Sequence, residues 1–527
     1  MGRGPSQEER RLSERINEVL LQEEIWVKQR SRVMWLKAGD RNTGFFHGHI
    51  AQRRMNRVTT LERSDGSICD DVEAVNGEVQ GFYNNLYTSQ GEPVMEDLLN
   101  LVPEKIVGSA RESMQEIYSE EEIRVALFQM HPSKAPGVDG FTAGFFQRHW
   151  DIVREDLVRA VLGILNGGEW LPNMNDTIVV LIPKVRHPQS IKQFRPISLC
   201  TVLYKICAKV VANRMRPWLE EVISKEQSAF VPGRLITDNA LVAFECIHTM
   251  KRKKKGKKGL CAVKLDMMKA YDRVEWPFLE AMLLKLGFPG SMVQLIMSFV
   301  RSVRFSVKVN GELLPQFIPS RGLRQGDPMS PYLFLLCSEG FSILLNHFQL
   351  GPIDRGIRVC HRAPWITHLL FADDSLIFIN ATVSSVRRLN EILHIYNEAS
   401  GQLVNREKSS IFFTPSTGEA QREAVKHELD ILVEAFSERY LGLPTAVGRL
   451  TSGEFEFIAE GMRKSMNGCA KMLSYPDKEV WLKSVVQAKS TYCMSIFQLS
   501  KGTCKKFSSL SSKFWWSGNW IRGQCIG

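Results

Sequence analysis

The stretch "HLLFADDSLIF", residues 368–378, sets two adjacent carboxylates, Asp373 and Asp374, inside an apolar run. Leu369, Leu370 and Phe371 precede the pair, and Leu376, Ile377 and Phe378 follow it. Apolar runs this short read as buried strands, and a two-residue Asp-Asp break reads as the turn of a tight hairpin. Such a hairpin carries both carboxylates at or beside its tip, between apolar walls. An ionised carboxylate is costly there unless a cation or hydrogen-bond donors compensate it. Asp also favours turns in its own right, so the rest of the chain has to decide.

The charge balance is basic, with 68 Lys+Arg against 57 Asp+Glu and a net charge of +11. That excess suits a polyanionic partner, nucleic acid ahead of an acidic membrane surface. Hydrophobic residues at 44% and charged residues at 24% are ordinary for a soluble globular chain, and 527 residues allow about three domains. No uninterrupted apolar run reaches the roughly 18 residues of a membrane span, and the N-terminus lacks the apolar core of a signal peptide. The 11 cysteines show neither Cys-x-x-Cys pairs nor zinc spacing, so they read as reduced, intracellular and mostly core residues, with no zinc site expected.

From Lys28 to Arg57 there are eight Lys/Arg and a single acid, Asp40, with Trp35, Phe45 and Phe46 interleaved. Rings among cations suit a nucleic-acid strand, and a solvated helix docked on the body fits equally well. "ERSDGSICDD" reads as strand-turn-strand about Asp65-Gly66. Ser119 caps an apolar helix with an acidic first turn. "DTIVVLIPKV" reads as a strand closed by Pro183, and one helix is expected through "VLYKICAKVVANRMRPWLEEVI". "KRKKKGKK", residues 251–258, holds seven cations in eight positions, a solvated loop or a nuclear-import-like patch.

Immediately after that run, Cys261–Leu265 is a short apolar strand, and Asp266 stands at its end. Two magnesium ions about 4 Å apart, the arrangement for phosphoryl and nucleotidyl transfer, need acidic ligands from more than one strand. Asp266 with Asp373 and Asp374 would meet that need, although sequence spacing does not show that they meet in space. In "PSRGLRQGDPMSPYLFLL", Asp327-Pro328 reads as a helix start, with Gly322 and Gly326 opening the backbone and Arg324 and Gln325 adding donors. An anion or base docked at that helix start is the expected use.

Together these segments closely resemble the reverse transcriptase family. "KLDMMKAYDRV" is similar to its first catalytic palm motif, "LRQGDPMSPYLF" to its template- and nucleotide-contacting motif, and "FADD" to its second catalytic motif, usually written with Tyr in place of Phe371. "LIPK" and "FRPISL" resemble the fingers motifs, "GQLVNREKS" the following palm motif, and "YLGLP" the segment leading out of the palm. "VMWLKAGDRNTGFFH", "GRLITDNALVAFE" and "FWWSG" narrow the resemblance to plant LINE-type (non-LTR) retrotransposon polyproteins, of which this chain looks like a truncated piece.

The resemblance implies an α/β (α+β) right-hand polymerase fold with fingers, an antiparallel-sheet palm and a partial helical thumb. The expected division is a basic helical extension over 1–115, fingers over 116–260, palm over 261–445 and thumb-like helices over 446–527, the reverse transcriptase domain as a whole covering about 165–445. It implies an RNA-directed DNA polymerase that takes an RNA template, a DNA primer and dNTPs, with two Mg²⁺ ions for which Mn²⁺ is a possible substitute. By the same resemblance, Asp266, Asp373, Asp374 and the main chain of Met267 hold the metals. Lys184 and Arg195 grip the incoming triphosphate, Tyr271 is the steric gate against a ribose 2′-hydroxyl, and Gln325 with Gly326 lies under the nascent base pair. Lys408 is the palm lysine that protonates pyrophosphate. An intracellular, nuclear or nucleocytoplasmic setting without membrane contact is expected. Two other readings stand beside this one: a catalytically idle remnant that only binds nucleic acid, and a metal-dependent nuclease, which leaves "RQGDP" and the fingers cations unexplained.

Overall fold

The computed structural model describes residues 57–516 apart from 64, 169, 186, 255–258, 350–354, 435–438, 446–451, 468–472 and 474, together with 8, 11, 12, 14–20 and 22. The aromatic-cationic stretch before Arg57 and the end of the 251–258 run therefore lie outside the described residues. The chain divides into two compact units, Val58–Thr445 and a second made of Met1–Arg57 with Ala446–Gly527.

In the first unit, β1 (Leu61–Glu62) and β2 (Ile68–Cys69) pair antiparallel across the Asp65-Gly66 turn. There Gly66 takes φ +83 and Asp65 accepts from the Ser67 N–H. Helix α1 (Val72–Tyr87) is capped by Asp71, and α2 (Glu120–Phe128) by the reciprocal box of Ser119 and Glu122. Strand β3 (Asp176–Pro183) pairs antiparallel with β4 (Phe194–Leu199). Helix α3 (Val202–Met215) is shorter than the sequence suggests: Arg216–Trp218 tightens into a 3-10 turn before Leu219–Val222 resumes. Pro217 lacks the N–H that would continue the ladder, and its ring crowds the preceding turn.

Next come α4 (Ile236–Arg252), β5 (Leu260–Leu265), α5 (Trp276–Lys285), β6 (Arg304–Val309) and β7 (Glu312–Leu313). Helix α6 (Ser330–Gln349), the hairpin β8 (His368–Phe371) and β9 (Asp374–Asn380), α7 (Val383–Ser400) and β10 (Ser410–Phe413) follow. One four-stranded sheet has the order β4-β3-β6-β7, with β3 and β6 parallel. The other, β10-β5-β9-β8, is antiparallel throughout.

Side chains alternate across that second sheet with period two. Val263, Leu265, Ile377, Ile379 and Leu370 join the main core with residues of α6 and α7. Ala262, Leu376, Phe378 and Leu369 pack instead with Ala243, Cys246 and Met250 of α4. Both faces are covered, which is why these strands read as continuous apolar runs rather than as an alternation.

In the second unit, α8 (Glu456–Met466) is followed by Tyr475–Trp481, which runs through a π-helical turn at Leu482–Val486 into Ala488–Met494, and then by α9 (Lys501–Trp516). Among the described residues no helix is long and apolar enough to cross a membrane.

Candidate active site

Strand β5 ends at Leu265, and the β5–β9 register sets Leu265 opposite Ser375, so one step further Asp266 lies against Asp374. The turn of the neighbouring hairpin is one residue earlier than expected. Phe371 pairs with Asp374, leaving Ala372 and Asp373 as its two central residues. Asp373 is therefore exposed at the tip, and Asp374 is the half-buried first residue of β9. The loop after α7 zips onto the end of β5. Asn405 N–H donates to the Asp266 carbonyl at 2.8 Å, Met268 N–H donates to the Leu403 carbonyl at 2.7 Å, and Met267 bridges to Val404.

These carboxylates feel one another. Burial pushes the Asp374 carboxyl up to about 6, and the charges of Asp373 and Asp266 add to the shift while Lys264 opposes it. Asp373 is raised by the protein crowding its turn and by Asp266, with Arg195 opposing. A site whose acids resist ionisation is one that a divalent cation would relieve. Among the described residues, no three His, Cys, Asp or Glu side chains gather tightly enough to hold an ion by themselves. Magnesium suits such an open donor set, because it completes its octahedron with water and substrate phosphates.

Three exposed cations come from separate segments, Lys184 after β3, Arg195 on β4 and Lys408 in the loop before β10; Arg195 acts on Asp373, and Lys184 lies within reach of both Asp266 and Lys408. Pairing of Ile182 with Arg195 puts the first two at the same sheet end. The Lys184 ammonium is held below its ordinary value by partial burial, then by the charges of Lys408 and Arg195, while Asp272 and Asp266 draw it back up. Tyr271, on a 3-10 turn, stacks its ring on Phe334 at 4.7 Å and 11°. Burial and the nearby Asp373 raise its hydroxyl pKa.

The "RQGDP" segment departs from the sequence reading. Helix α6 begins at Ser330, not at Pro328. Asp327 uses one carboxylate oxygen for the Met329 N–H, while the other accepts from the Tyr204 hydroxyl at 2.5 Å and pairs with Arg324 at 2.8 Å. Arg324, 5% exposed, also donates to Asn175 and Thr177 and lies over the Tyr204 ring. Arg324 is therefore not an open donor and Asp327 not an open helix cap; they are a buried ion pair that fixes the loop. The loop's open part is Gln325 and Gly326. Ser198 N–H donates to the Gln325 carbonyl at 2.8 Å, and Gly326 takes φ +111 with its Cβ position 3.0 Å from the Ser198 carbonyl, so a larger residue would be strained and would press on β4.

Two charged groups near the site went unmarked in the sequence. Lys264 acts on Asp374 from within β5, and its only signal was being the lone polar residue of an apolar strand. Asp272, fully buried, accepts from the Tyr87 hydroxyl of α1 at 3.0 Å. Its signal was a second acid six residues beyond Asp266.

The family profile for reverse transcriptase (RNA-dependent DNA polymerase) matches residues 182–445. The chain is similar to the "Transposon TX1 uncharacterized 149 kDa protein" of Xenopus laevis, 28% identical over 93% of this chain and 37% of that protein. It is also similar to the "Retrovirus-related Pol polyprotein from type-2 retrotransposable element R2DM" of Drosophila melanogaster, 25% identical over 67% of this chain and 33% of that one. A short stretch, 13% of the chain, is 54% identical to the "Uncharacterized mitochondrial protein AtMg01250" of Arabidopsis thaliana. The chain thus spans about a third of the length of the two long relatives.

Proposed function

The chain belongs to the reverse transcriptase family, and from that premise we propose that it extends a DNA primer on an RNA template by nucleotidyl transfer assisted by two Mg²⁺ ions, with Mn²⁺ as a possible substitute. The observation that carries this reading is the raised carboxyls of Asp373 and Asp374 beside Asp266 at adjoining strand ends, with Arg195 close enough to act on Asp373 and Lys184 within reach of Asp266. These three carboxylates and the Met267 carbonyl would hold the divalent cations, which would lower the pKa of the primer 3′-hydroxyl and balance the charge of the leaving pyrophosphate.

The chain's own residues do the rest. Lys184 and Arg195 hold the triphosphate through charge-assisted contacts, which orient it for in-line attack. Tyr271, fixed against Phe334, fills the space that a ribose 2′-hydroxyl would need. Gln325 and Gly326 present open backbone beneath the new base pair, held in place by Ser198. Lys408 gives a proton to the departing pyrophosphate. Residues 116–260 act as fingers, 261–445 as palm and 446–527 as thumb. The motifs around Trp35, Gly233 and Trp515 support a plant LINE-type lineage, and the basic runs suit a nuclear setting.

Oligo(dT) on poly(rA) with dTTP tests the proposal. Extension that requires Mg²⁺ or Mn²⁺ is expected. Binding to the primed template with no extension in either ion would leave only the idle, nucleic-acid-binding remnant, and cleavage of the template would favour a nuclease.

A further inference from the structure

The turn that carries Asp373 is strained. Ala372 occupies its first central position with φ +53, a left-handed conformation that glycine adopts freely and other residues adopt only at a cost. A side chain from outside the hairpin holds it there. Gln227, 1% exposed, grips both sides of this one residue. Its Oε1 accepts from the Ala372 N–H at 3.0 Å, and its Nε2 donates to the Ala372 carbonyl at 3.4 Å. The same Oε1 accepts from the Ala229 N–H at 3.0 Å, which fixes the orientation of the amide.

The segment presenting Gln227 is itself pinned. Leu370 N–H of β8 donates to the Glu226 carbonyl at 2.8 Å, and Ser228 N–H donates to the Leu370 carbonyl at 3.1 Å. The Arg234 guanidinium gathers the carbonyls of Ser224, Gln227 and Ile223 at 2.6, 2.7 and 2.8 Å. Glu339 accepts from the Ser224 N–H and hydroxyl. Gln offers both an acceptor and a donor, so it can meet the N–H and the C=O of a single residue. A residue needed only to fill space would use neither.

We infer that Gln227 is a positioning residue: it holds Ala372 in its strained conformation and so aims Asp373 and fixes where Asp374 enters β9. The inference rests on the reading of these carboxylates as the divalent-cation site. Removing partners that orient metal ligands typically costs 10–100-fold in metal affinity or activity.

The test compares the full chain with Gln227→Met, which keeps the volume and removes both hydrogen bonds, and with Gln227→Met/Ala372→Gly, in which glycine takes the turn unaided. The first readout is the Mn²⁺ concentration that gives half of the rise in melting temperature, without nucleotide or nucleic acid. The second is kcat and dNTP KM in primer extension. Gln227→Met is expected to shift the cation midpoint upward about tenfold and to lower kcat while KM holds, and the added glycine is expected to bring the midpoint back toward wild type. An unchanged midpoint, or a loss that Ala372→Gly does not relieve, would make Gln227 an ordinary core residue. If Gln227→Met does not fold, the double variant decides: a midpoint near wild type supports the role, and a weakened one or a second failure to fold overturns it. Should the wild type itself show neither cation binding nor extension, the functional reading falls and this role with it; a responsive wild type beside an unaltered Gln227→Met removes this role alone.

Discussion

At Asp374 the candidate chemistry opposes stability, and pH exposes the conflict. Its carboxyl is raised from an ordinary 3.8 to about 6, so the folded chain holds that proton more tightly than the unfolded chain does. Below about pH 4 both states are protonated and nothing is lost. Stability then falls as pH rises, and above about pH 6 the full penalty applies, at most roughly 3 kcal/mol for a shift of this size. Asp374→Asn should therefore melt at a higher temperature than wild type at pH 7.5 and at the same temperature near pH 3.5. Equal melting at both pH values would show that the carboxylate is not strained. Tyr271→Ala should narrow the preference for dNTP over rNTP; an unchanged ratio would leave the ring a packing partner of Phe334 and nothing more. The three acids were legible as residues, because an Asp pair between apolar strands and an Asp at a strand end are conspicuous. Arg324 was misread as an open donor, and Asp327 as the cap of a helix that begins at Pro328. The groups that close them off, Tyr204, Asn175 and Thr177, lie more than a hundred positions earlier, and no local pattern points to them.

Among elements, α1 shows how far the described N-terminal part is built into the core of its unit. Arg321 N–H and Ser320 N–H both donate to the Tyr87 carbonyl, Arg321 Nε donates to the Leu86 carbonyl, and the Tyr87 hydroxyl donates to Asp272. Arg321 and Glu275 form an ion pair at 3.2 Å with side chains 3% and 7% exposed, and Ser89 donates to the same carboxylate. Removing one member of such a pair strands the other in a dry site. Arg321→Ala should cost about 3–5 kcal/mol, read from denaturant unfolding; a loss within about 1 kcal/mol would place the pair among weak surface bridges. The reading of residues 1–115 as a basic helical extension carried no sign of these particular bonds. Local signals did better elsewhere. The Ser119 cap, the Asp65-Gly66 hairpin and the strands flanking Asp266 and Asp373 all follow from rules that act within a few residues. The turn after Phe371 did not, because its position depends on Gln227 holding a residue that would not choose φ > 0 by itself.

For the whole molecule, the excess of positive charge predicts binding that is steep in salt. Each phosphate neutralised should contribute roughly 0.7 to 0.9 to the slope of log affinity against log salt. Removing residues 1–56, which carry most of the Lys28–Arg57 cations, should flatten that slope and weaken all sequences about equally, since backbone contacts position a strand without reading it. The cut belongs before Val58, whose N–H and carbonyl both bond to the Asn310 side chain and whose neighbour Leu61 is buried. A slope unchanged by the deletion would assign those cations to the protein's own surface. The central claim, that Asp266, Asp373 and Asp374 act together on a primer paired to RNA, is tested most directly by single-turnover addition of one dNTP. Wild type is compared with Asp266→Asn, Asp373→Asn and Asp374→Asn at saturating Mg²⁺. Each variant should bind the primed template as wild type does and add the nucleotide about a hundredfold more slowly or worse; any one of them adding it at the wild-type rate would contradict the shared cation site.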